Sequence, residues 1–181
     1  MKSNKLIVIF LIKFFGTYAL LFLCYSYYLE STQQKTNVYA CSPITRTVAN
    51  QTEFLLNSFG YEANVKQHPD EVSVMLSVDN VYIARVVEGC NSISIIILFV
   101  SFIIAFSGKF KTTFFYLLFG CVMIYAVNLI RIVILTIGLY NYPWRREILH
   151  SVIFPLIIYG LVFLLWMFWV NRFVNLKPNN D

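Results

Sequence analysis

Hydrophobic residues in this chain are concentrated in four long runs. The runs cover residues 6–28, 91–107, 112–140 and 148–170. A helix needs about 20 apolar residues to cross a hydrocarbon core of about 30 Å. Extended back to Cys90, the second run would measure about 27 Å as a helix, so it only just crosses the core. The pattern predicts an all-α membrane protein built as a four-helix transmembrane bundle.

The polar interval between the first two runs, residues 30–88, has two patterns of its own. Apolar residues recur at roughly helical spacing over residues 42–59, with Pro43 near the start, which predicts a short amphipathic helix on the membrane or on the bundle. Apolar and polar residues then alternate over residues 72–86 around Asp79-Asn80, which predicts a β-hairpin. A small segment of this composition between two spans is expected to lie outside the membrane.

Composition supports the membrane assignment and excludes a soluble globular enzyme. The chain has 181 residues, of which 59% are hydrophobic and 13% are charged. Ordinary soluble domains are about 45–50% apolar and about 25% charged.

The placement of charge predicts a topology rather than a nucleic-acid surface. Lysine and arginine precede the first run, separate the second from the third, and follow the fourth: Lys2, Lys5, Lys109, Lys111, Arg172 and Lys177. Together with Asp181 these groups carry +5, whereas residues 30–88 carry −3. By the positive-inside rule both termini are cytoplasmic. The first run is expected to stay as an anchor rather than be cleaved as a signal peptide, because no small-residue cleavage site follows it.

The four cysteines show no spacing typical of a zinc site, and no nucleotide motif accompanies them, so we expect no cofactor. Cys24 and Cys121 fall within apolar runs, where cysteine commonly acts as a small buried hydrophobe. Cys41 is expected to be free, because its only extracytoplasmic partner would be Cys90. His68 is expected in a solvated loop before the hairpin.

An arginine within the third run is the most informative residue in the sequence. Arg131 is surrounded by aliphatic residues, and an arginine at the centre of a membrane helix costs about 2.5–3.5 kcal/mol on insertion scales. Such residues usually face a bundle interior or a wet cavity, and Asn128 shares the same helical face. The alternative is an arginine whose side chain reaches the interface.

The connection between the third and fourth runs carries two arginines on the expected outer side. Arg145 and Arg146 could bind lipid phosphates or part of a substrate, or could act as interfacial anchors. His150 opens the fourth run, and Glu147 precedes it by about one helical turn, where it could orient the imidazole.

Cys90, Arg131 and His150 are all expected near the extracytoplasmic face. A neighbouring imidazole can take the proton of a thiol and stabilise the thiolate. A permanently charged guanidinium suits the oxyanion that develops when a carbonyl carbon is attacked. The three residues therefore predict nucleophilic attack on a carbonyl group.

The order Cys90, then Asn128-Leu129-Ile130-Arg131-Ile132, then His150 resembles the exosortase/archaeosortase family of polytopic cysteine transpeptidases. The short chain resembles the compact bacterial type of this family (XrtF-like). The resemblance implies that Cys90 forms an acyl-enzyme, that His150 shuttles the proton, and that Arg131 stabilises the intermediate. It implies a division into an anchor (1–29), an extracytoplasmic segment (30–89), a three-span catalytic core (90–171) and a cytoplasmic tail (172–181).

The resemblance also implies the partners and the location. The substrates would be exported proteins with a C-terminal motif, a transmembrane helix and a basic tail, cleaved at the outer face of the bacterial cytoplasmic membrane. The acceptor would be an amine or water, with the lipid bilayer as surroundings and no nucleic acid involved. One alternative is a non-enzymatic membrane assembly or accessory protein with a structural Cys90. A small transporter is a weaker alternative, because no broken helices or repeats accompany the arginine.

Overall fold

The computed structural model describes residues 2–33, 40–106, 108–148 and 152–173. Its helices are α1 (Lys2–Thr32), α2 (Pro43–Ser58), α3 (Ile93–Ala105), α4 (Phe110–Asn141), the single turn α5 (Arg146–Ile148) and α6 (Phe154–Phe173). Its strands are β1 (Ala63–Gln67), β2 (Val74–Val78) and β3 (Val81–Val86), and short 3₁₀ turns cover Glu88–Cys90 and Pro143–Arg145.

Three of the four expected spans form helices long and apolar enough to cross a membrane, namely α1, α4 and α6. The second expected span is shorter than predicted, because α3 has 13 residues and measures about 20 Å. Ser92 adopts a left-handed conformation with φ 64° immediately before α3, and Phe106 is extended immediately after it. The helix therefore begins at Ile93, and Cys90 lies in a turn before it rather than at its first residue.

Helices α3, α4 and α6 enclose one apolar core. Phe99 of α3 and Trp169 of α6 are fully buried in it, and the Tyr116 hydroxyl of α4 donates to the Leu165 carbonyl at 2.7 Å. Gly120 of α4 faces the Phe99 ring so closely that an added Cβ would lie 2.2 Å from it. Helix α1 packs on the outside of α3 through aromatic contacts of Phe10.

The predicted hairpin is confirmed, and a third strand extends it. Strands β2 and β3 are antiparallel around Asp79 and Asn80, whose φ angles of 51° and 63° match the positive values that tight hairpin turns require. Strand β1 pairs with the other side of β2, so the sheet order is β1-β2-β3. Only five residues form β1, and apolar and polar residues alternate too weakly among them for the sequence to predict a strand there. His68 follows β1, and its Nδ1 accepts from the Asp70 amide at 3.1 Å.

The predicted amphipathic helix is also confirmed, and it packs on protein. Ser42 caps α2 by accepting from the Thr45 amide. The buried face of α2, which includes Val48, Ala49 and Leu56, lies against the sheet and against α4.

The C-terminal part of α4 packs against α2 and the sheet. With 32 residues α4 measures about 48 Å, well beyond a hydrocarbon core of about 30 Å. Val133 and Ile137 contact the buried face of the sheet, and the Tyr140 hydroxyl donates to Asp79 Oδ2 at 2.5 Å. The sheet, α2 and the last turns of α4 therefore pack together around shared apolar clusters.

Candidate active site

Cys90 lies in a tight turn that joins β3 to α3. The Cys90 amide donates to the Val87 carbonyl at 2.8 Å, which closes the 3₁₀ turn. The side-chain amide of Asn128 on α4 donates to the Cys90 carbonyl at 2.8 Å. Asn128 is almost completely buried, so this bond fixes the main chain of Cys90 against α4.

A carboxylate next to Cys90 ties this turn to α2. Glu88 accepts hydrogen bonds from the Ser42 amide at 2.7 Å, the Ser42 hydroxyl at 2.8 Å, the Thr45 hydroxyl, and the Asn91 side-chain amide at 3.3 Å. Burial acts to raise the pKa of Glu88, but the hydrogen bonds from Thr45, Ser42 and Gln33 outweigh it and lower the pKa. The charged carboxylate is therefore the favoured form.

Asn91 extends the same network to α1 and α3. Its side-chain amide also donates to the Tyr25 hydroxyl at 2.7 Å and to the Thr45 hydroxyl at 3.0 Å. Its Oδ1 accepts from the Ile93 amide at 3.0 Å, which caps the start of α3. Glu88 and Asn91, which precede and follow Cys90 in the chain, are thus held by hydrogen bonds that are buried or partly buried.

A cavity of about 230 Å³ opens beside this turn, between β3 and the C-terminal half of α4. It is lined by Ala84, Arg85, Val86, Val87, Cys90, Arg131, Ile132, Leu135, Thr136, Leu139 and Arg146. The predicted site residues Cys90, Arg131 and Arg146 therefore meet in one cavity, although they come from three separate elements.

Arg131 lines this cavity and has one donor that the described residues do not use. Its Nε is buried and has no hydrogen-bond partner among the residues the structure describes. A buried donor without a partner is unfavourable by about 1–3 kcal/mol, so the described protein groups leave part of the donor capacity of the guanidinium unused. Arg131 also lies 20 residues after Lys111, or about 30 Å along α4, which is close to the thickness of a hydrocarbon core.

The cavity is cationic over the described part of the chain. Three arginines line it and no acidic side chain does. Arg85 forms an exposed ion pair with Glu71, whereas Arg131 and Arg146 line the cavity and form no ion pair among the described residues. A thiol beside such groups suits attack on a carbonyl carbon, because the oxygen that gains negative charge would be stabilised.

The other predicted site residues are placed differently. Arg145 is exposed, and its guanidinium lies 5.9 Å from the centre of the Tyr142 ring, where a cation–π contact is possible. Glu147 is exposed on α5 and does not line the cavity. His150 lies outside the described residues, two positions after the end of α5.

Cys41 belongs to the apolar cluster between α2 and the sheet, and it does not line the cavity. It is 8% exposed, has a free thiol and packs against Val48 and Val74. Burial, assisted by the negative charge of Glu88, raises the pKa of Cys41 to about 11. Within the described ranges, no three residues among His, Cys, Asp and Glu come together as a metal site would require.

The hydrogen-bond network around Glu88 was not predicted from the sequence. Its partners Ser42 and Thr45 lie 46 and 43 positions earlier in the chain, and no local periodicity joins them. One signal was available, because Glu88 is an acidic residue two positions before the predicted nucleophile.

One comparison with known proteins gave a match. The family model described as transmembrane exosortase (Exosortase_EpsH) matches residues 9–171. No curated protein and no solved structure matches the chain. The matched region includes the turn of Cys90, all of α4 and most of α6.

Proposed function

Because the chain belongs to the transmembrane exosortase family, we propose that it is a cysteine protease or transpeptidase that cleaves C-terminal sorting signals of exported proteins. Its substrates would carry a short motif, a transmembrane helix and a basic tail. The observation that carries this proposal is the cavity that Cys90 and Arg131 line together.

The reaction assigns one role to each of three residues. His150 takes the thiol proton of Cys90, and the sulfur attacks the carbonyl carbon of the scissile peptide bond. Arg131 stabilises the oxyanion of the tetrahedral intermediate. The C–N bond then breaks, His150 gives its proton to the leaving amine, and an acyl-enzyme thioester remains.

The second half of the reaction releases the acyl group. An amine or a water molecule gives a proton to His150 and attacks the thioester carbonyl. The C–S bond breaks, and the thiolate returns as leaving group. The support for His150 is its position in the chain, since Arg146 on the preceding turn already lines the cavity.

The proposed topology places the cavity on the outer side of the bacterial cytoplasmic membrane. Lys109 and Lys111 mark the inner end of α4, and Arg131 lies about 30 Å farther along the helix. Helix α1 would run outward, and residues 91–107, which contain α3, would return the chain to the cytoplasmic side. Both termini would then be cytoplasmic, in a compact XrtF-like form with four crossings.

Co-expression with a candidate tagged substrate tests this function. Wild type, Cys90→Ala, Arg131→Ala and His150→Ala are compared at matched membrane levels, and the substrate size is measured on a gel. Cys121→Ala is the matched control, because this cysteine packs in the helix core away from the cavity.

Two results are decisive. Removal of the tag by wild type and by the control, with loss in the three site variants, supports the thiol mechanism. Processing that survives Cys90→Ala would show that Cys90 is not the nucleophile and would favour an accessory protein with a structural cysteine.

A further inference from the structure

The two edge strands of the sheet, β1 and β3, differ in whether side chains bind their outward main-chain groups. Along the outer edge of β1, the Ala63 amide donates to Asn57 Oδ1 at 2.8 Å and the Val65 amide donates to Glu53 Oε1 at 3.2 Å. Both acceptors belong to α2, so this edge is covered by side chains. Covering an edge in this way prevents another strand from pairing with it.

The register of the sheet shows which main-chain groups of β3 face its outer edge. Because the Ala63 and Val65 amides point to α2, their partners Val78 and Leu76 direct their own main-chain groups to β3. The β3 residues opposite Val78, Leu76 and Val74 form hydrogen bonds with these three residues, so their main-chain groups point toward β2. The intervening residue Arg85, opposite Met75, therefore directs its main-chain groups away from β2.

Val87 continues this outer edge toward the nucleophile. It follows Val86 with φ −105° and ψ 169°, which is extended backbone, so its amide points to the same side as that of Arg85. Outside the ladder with β2, no hydrogen bond in the described ranges uses the amide of Arg85 or Val87. In the sheet as described, β3 pairs only with β2.

This uncovered edge is also the wall of the cavity. Arg85 and Val87 line it together with Cys90 and Arg131. An occupant that reaches the thiol therefore lies alongside the main-chain groups of Arg85 and the amide of Val87, which have no hydrogen-bond partner among the described residues. Main-chain groups of this kind are satisfied by an extended peptide, which adds to the sheet as a further strand.

The direction of β3 fits a substrate held in the membrane. The hairpin turn before β3 is bound to Tyr140, whereas the Cys90 turn after it is bound to Asn128, about 18 Å closer to the Lys111 end of α4. Strand β3 therefore runs toward the proposed membrane. An exported protein whose C-terminal helix lies in the membrane runs in the same direction just before that helix.

We propose that the substrate segment preceding the transmembrane helix binds as a fourth strand, parallel to β3, along the edge formed by Arg85 and Val87. This assignment rests on the proposed function. Pairing at this edge brings a substrate carbonyl into the cavity that holds Cys90 and Arg131. The segment is recognised mainly through its backbone, and side chains of alternate residues contribute selectivity.

Disulfide cross-linking tests the strand directly. Arg85→Cys is combined with Cys90→Ala, which leaves the substrate intact, and single cysteines are placed at successive substrate positions before its transmembrane helix. Side chains of a strand alternate between faces, and neighbouring strands bring Cβ atoms within about 5.5 Å. Cross-linking is therefore expected at every second substrate position. A repeat of three to four positions would indicate a helix, and uniform or absent cross-linking would also overturn the proposal.

Proline substitution tests the main-chain contact in the active enzyme. Arg85→Pro lacks the outward amide, whereas Arg85→Ala keeps it while removing the same side chain. We expect the processing rate of Arg85→Pro to be about tenfold below that of Arg85→Ala, as befits one peptide hydrogen bond. Tyr82→Pro is the matched control, because Tyr82 also faces the outer edge but does not line the cavity.

The two proposals fail in different ways. If wild type does not process the substrate, or does so without Cys90, the proposed function fails. If processing depends on Cys90 while Arg85→Pro matches Arg85→Ala and cross-links show no alternation, strand pairing fails and the function stands. Membrane levels of each variant are measured in parallel, and the cross-linking result does not depend on the proline variants.

Discussion

Replacing Glu88 with glutamine should destabilise the packing of the Cys90 turn against α2. The carboxylate accepts hydrogen bonds from Ser42 twice, from Thr45, from Asn91 and from Gln33. A glutamine of the same size keeps one acceptor oxygen and presents an NH₂ donor to groups that also donate. Hydrogen bonds to charged groups contribute about 1.5–3 kcal/mol each, and hydroxyl groups can rotate to recover part of the loss. We therefore expect Glu88→Gln to lower the free energy of unfolding by about 2 kcal/mol.

Thermal unfolding of the purified protein in mild detergent measures this effect. For a chain of this length about 2 kcal/mol corresponds to a decrease in Tm of about 4–8 °C. Glu71→Gln is the control, because Glu71 is exposed and its ion pair with Arg85 contributes little. The folded pKa of Glu88 is lowered, so its stabilisation is present above the unfolded pKa and is lost as the pH falls through the folded pKa.

The pH dependence makes the reasoning refutable. The difference in Tm between wild type and Glu88→Gln should be full at pH 7 and should shrink below about pH 4. Equal Tm values at pH 7 would refute the network as a source of stability. A difference that persists undiminished at pH 3 would show that the charge of Glu88 is not its cause.

Two further substitutions probe the packing and the turn. Gly120→Ala should destabilise the helix core by about 1–3 kcal/mol, because the added Cβ would lie 2.2 Å from the buried Phe99 ring. The control for the unfolding measurement is Gly16→Ala, because no atom lies within 4 Å of the Cβ added there. Equal stability of the two variants would contradict this packing. Asn128→Ala should slow substrate processing and lower the free energy of unfolding by about 1 kcal/mol, because it removes the 2.8 Å hydrogen bond to the Cys90 carbonyl. Processing at the wild-type rate would show that this hydrogen bond does not position the nucleophile.

Elements with strong periodicity were predictable from the sequence. The long apolar runs that became α1, α4 and α6 carried enough hydrophobic residues to define their own structure. The turn at Asp79 and Asn80 combines two residues that tolerate positive φ, so the hairpin was visible locally.

Features that depend on distant partners were not predictable. The short α3 begins at Ile93 because Asn91 and Ser92 form a capped turn, and Asn91 is held by groups on α1 and α2. An apolar run alone indicated a longer helix that starts at the cysteine. Strand β1 has little pattern of its own and is stabilised by pairing with β2 and by side chains of α2.

The sequence indicated which residues could carry chemistry at the candidate site, but not which segments line the cavity around them. Sequence order suggested that Cys90 and Arg131 converge, and the structure places both on one cavity. The opposite wall comes from β3, in the segment before residue 90, so the cavity includes residues from both sides of the division expected there. The roles of these residues in catalysis stay predictions, and the proposed substrate pairing uses this second wall.

The position of Arg131 reconciles the two alternatives considered for a charge in an apolar helix. In the proposed topology its Cα is about 30 Å from Lys111 along α4, so it lies at the outer boundary of the hydrocarbon rather than at its centre. Ile132 and Val133 beside it contact α2 and the sheet, so protein covers this part of α4. The insertion cost is therefore smaller than at a helix centre, while the low-dielectric surroundings that strengthen oxyanion stabilisation are retained. A charge at this boundary can act on a peptide bond that lies just outside the membrane, next to a substrate's transmembrane helix.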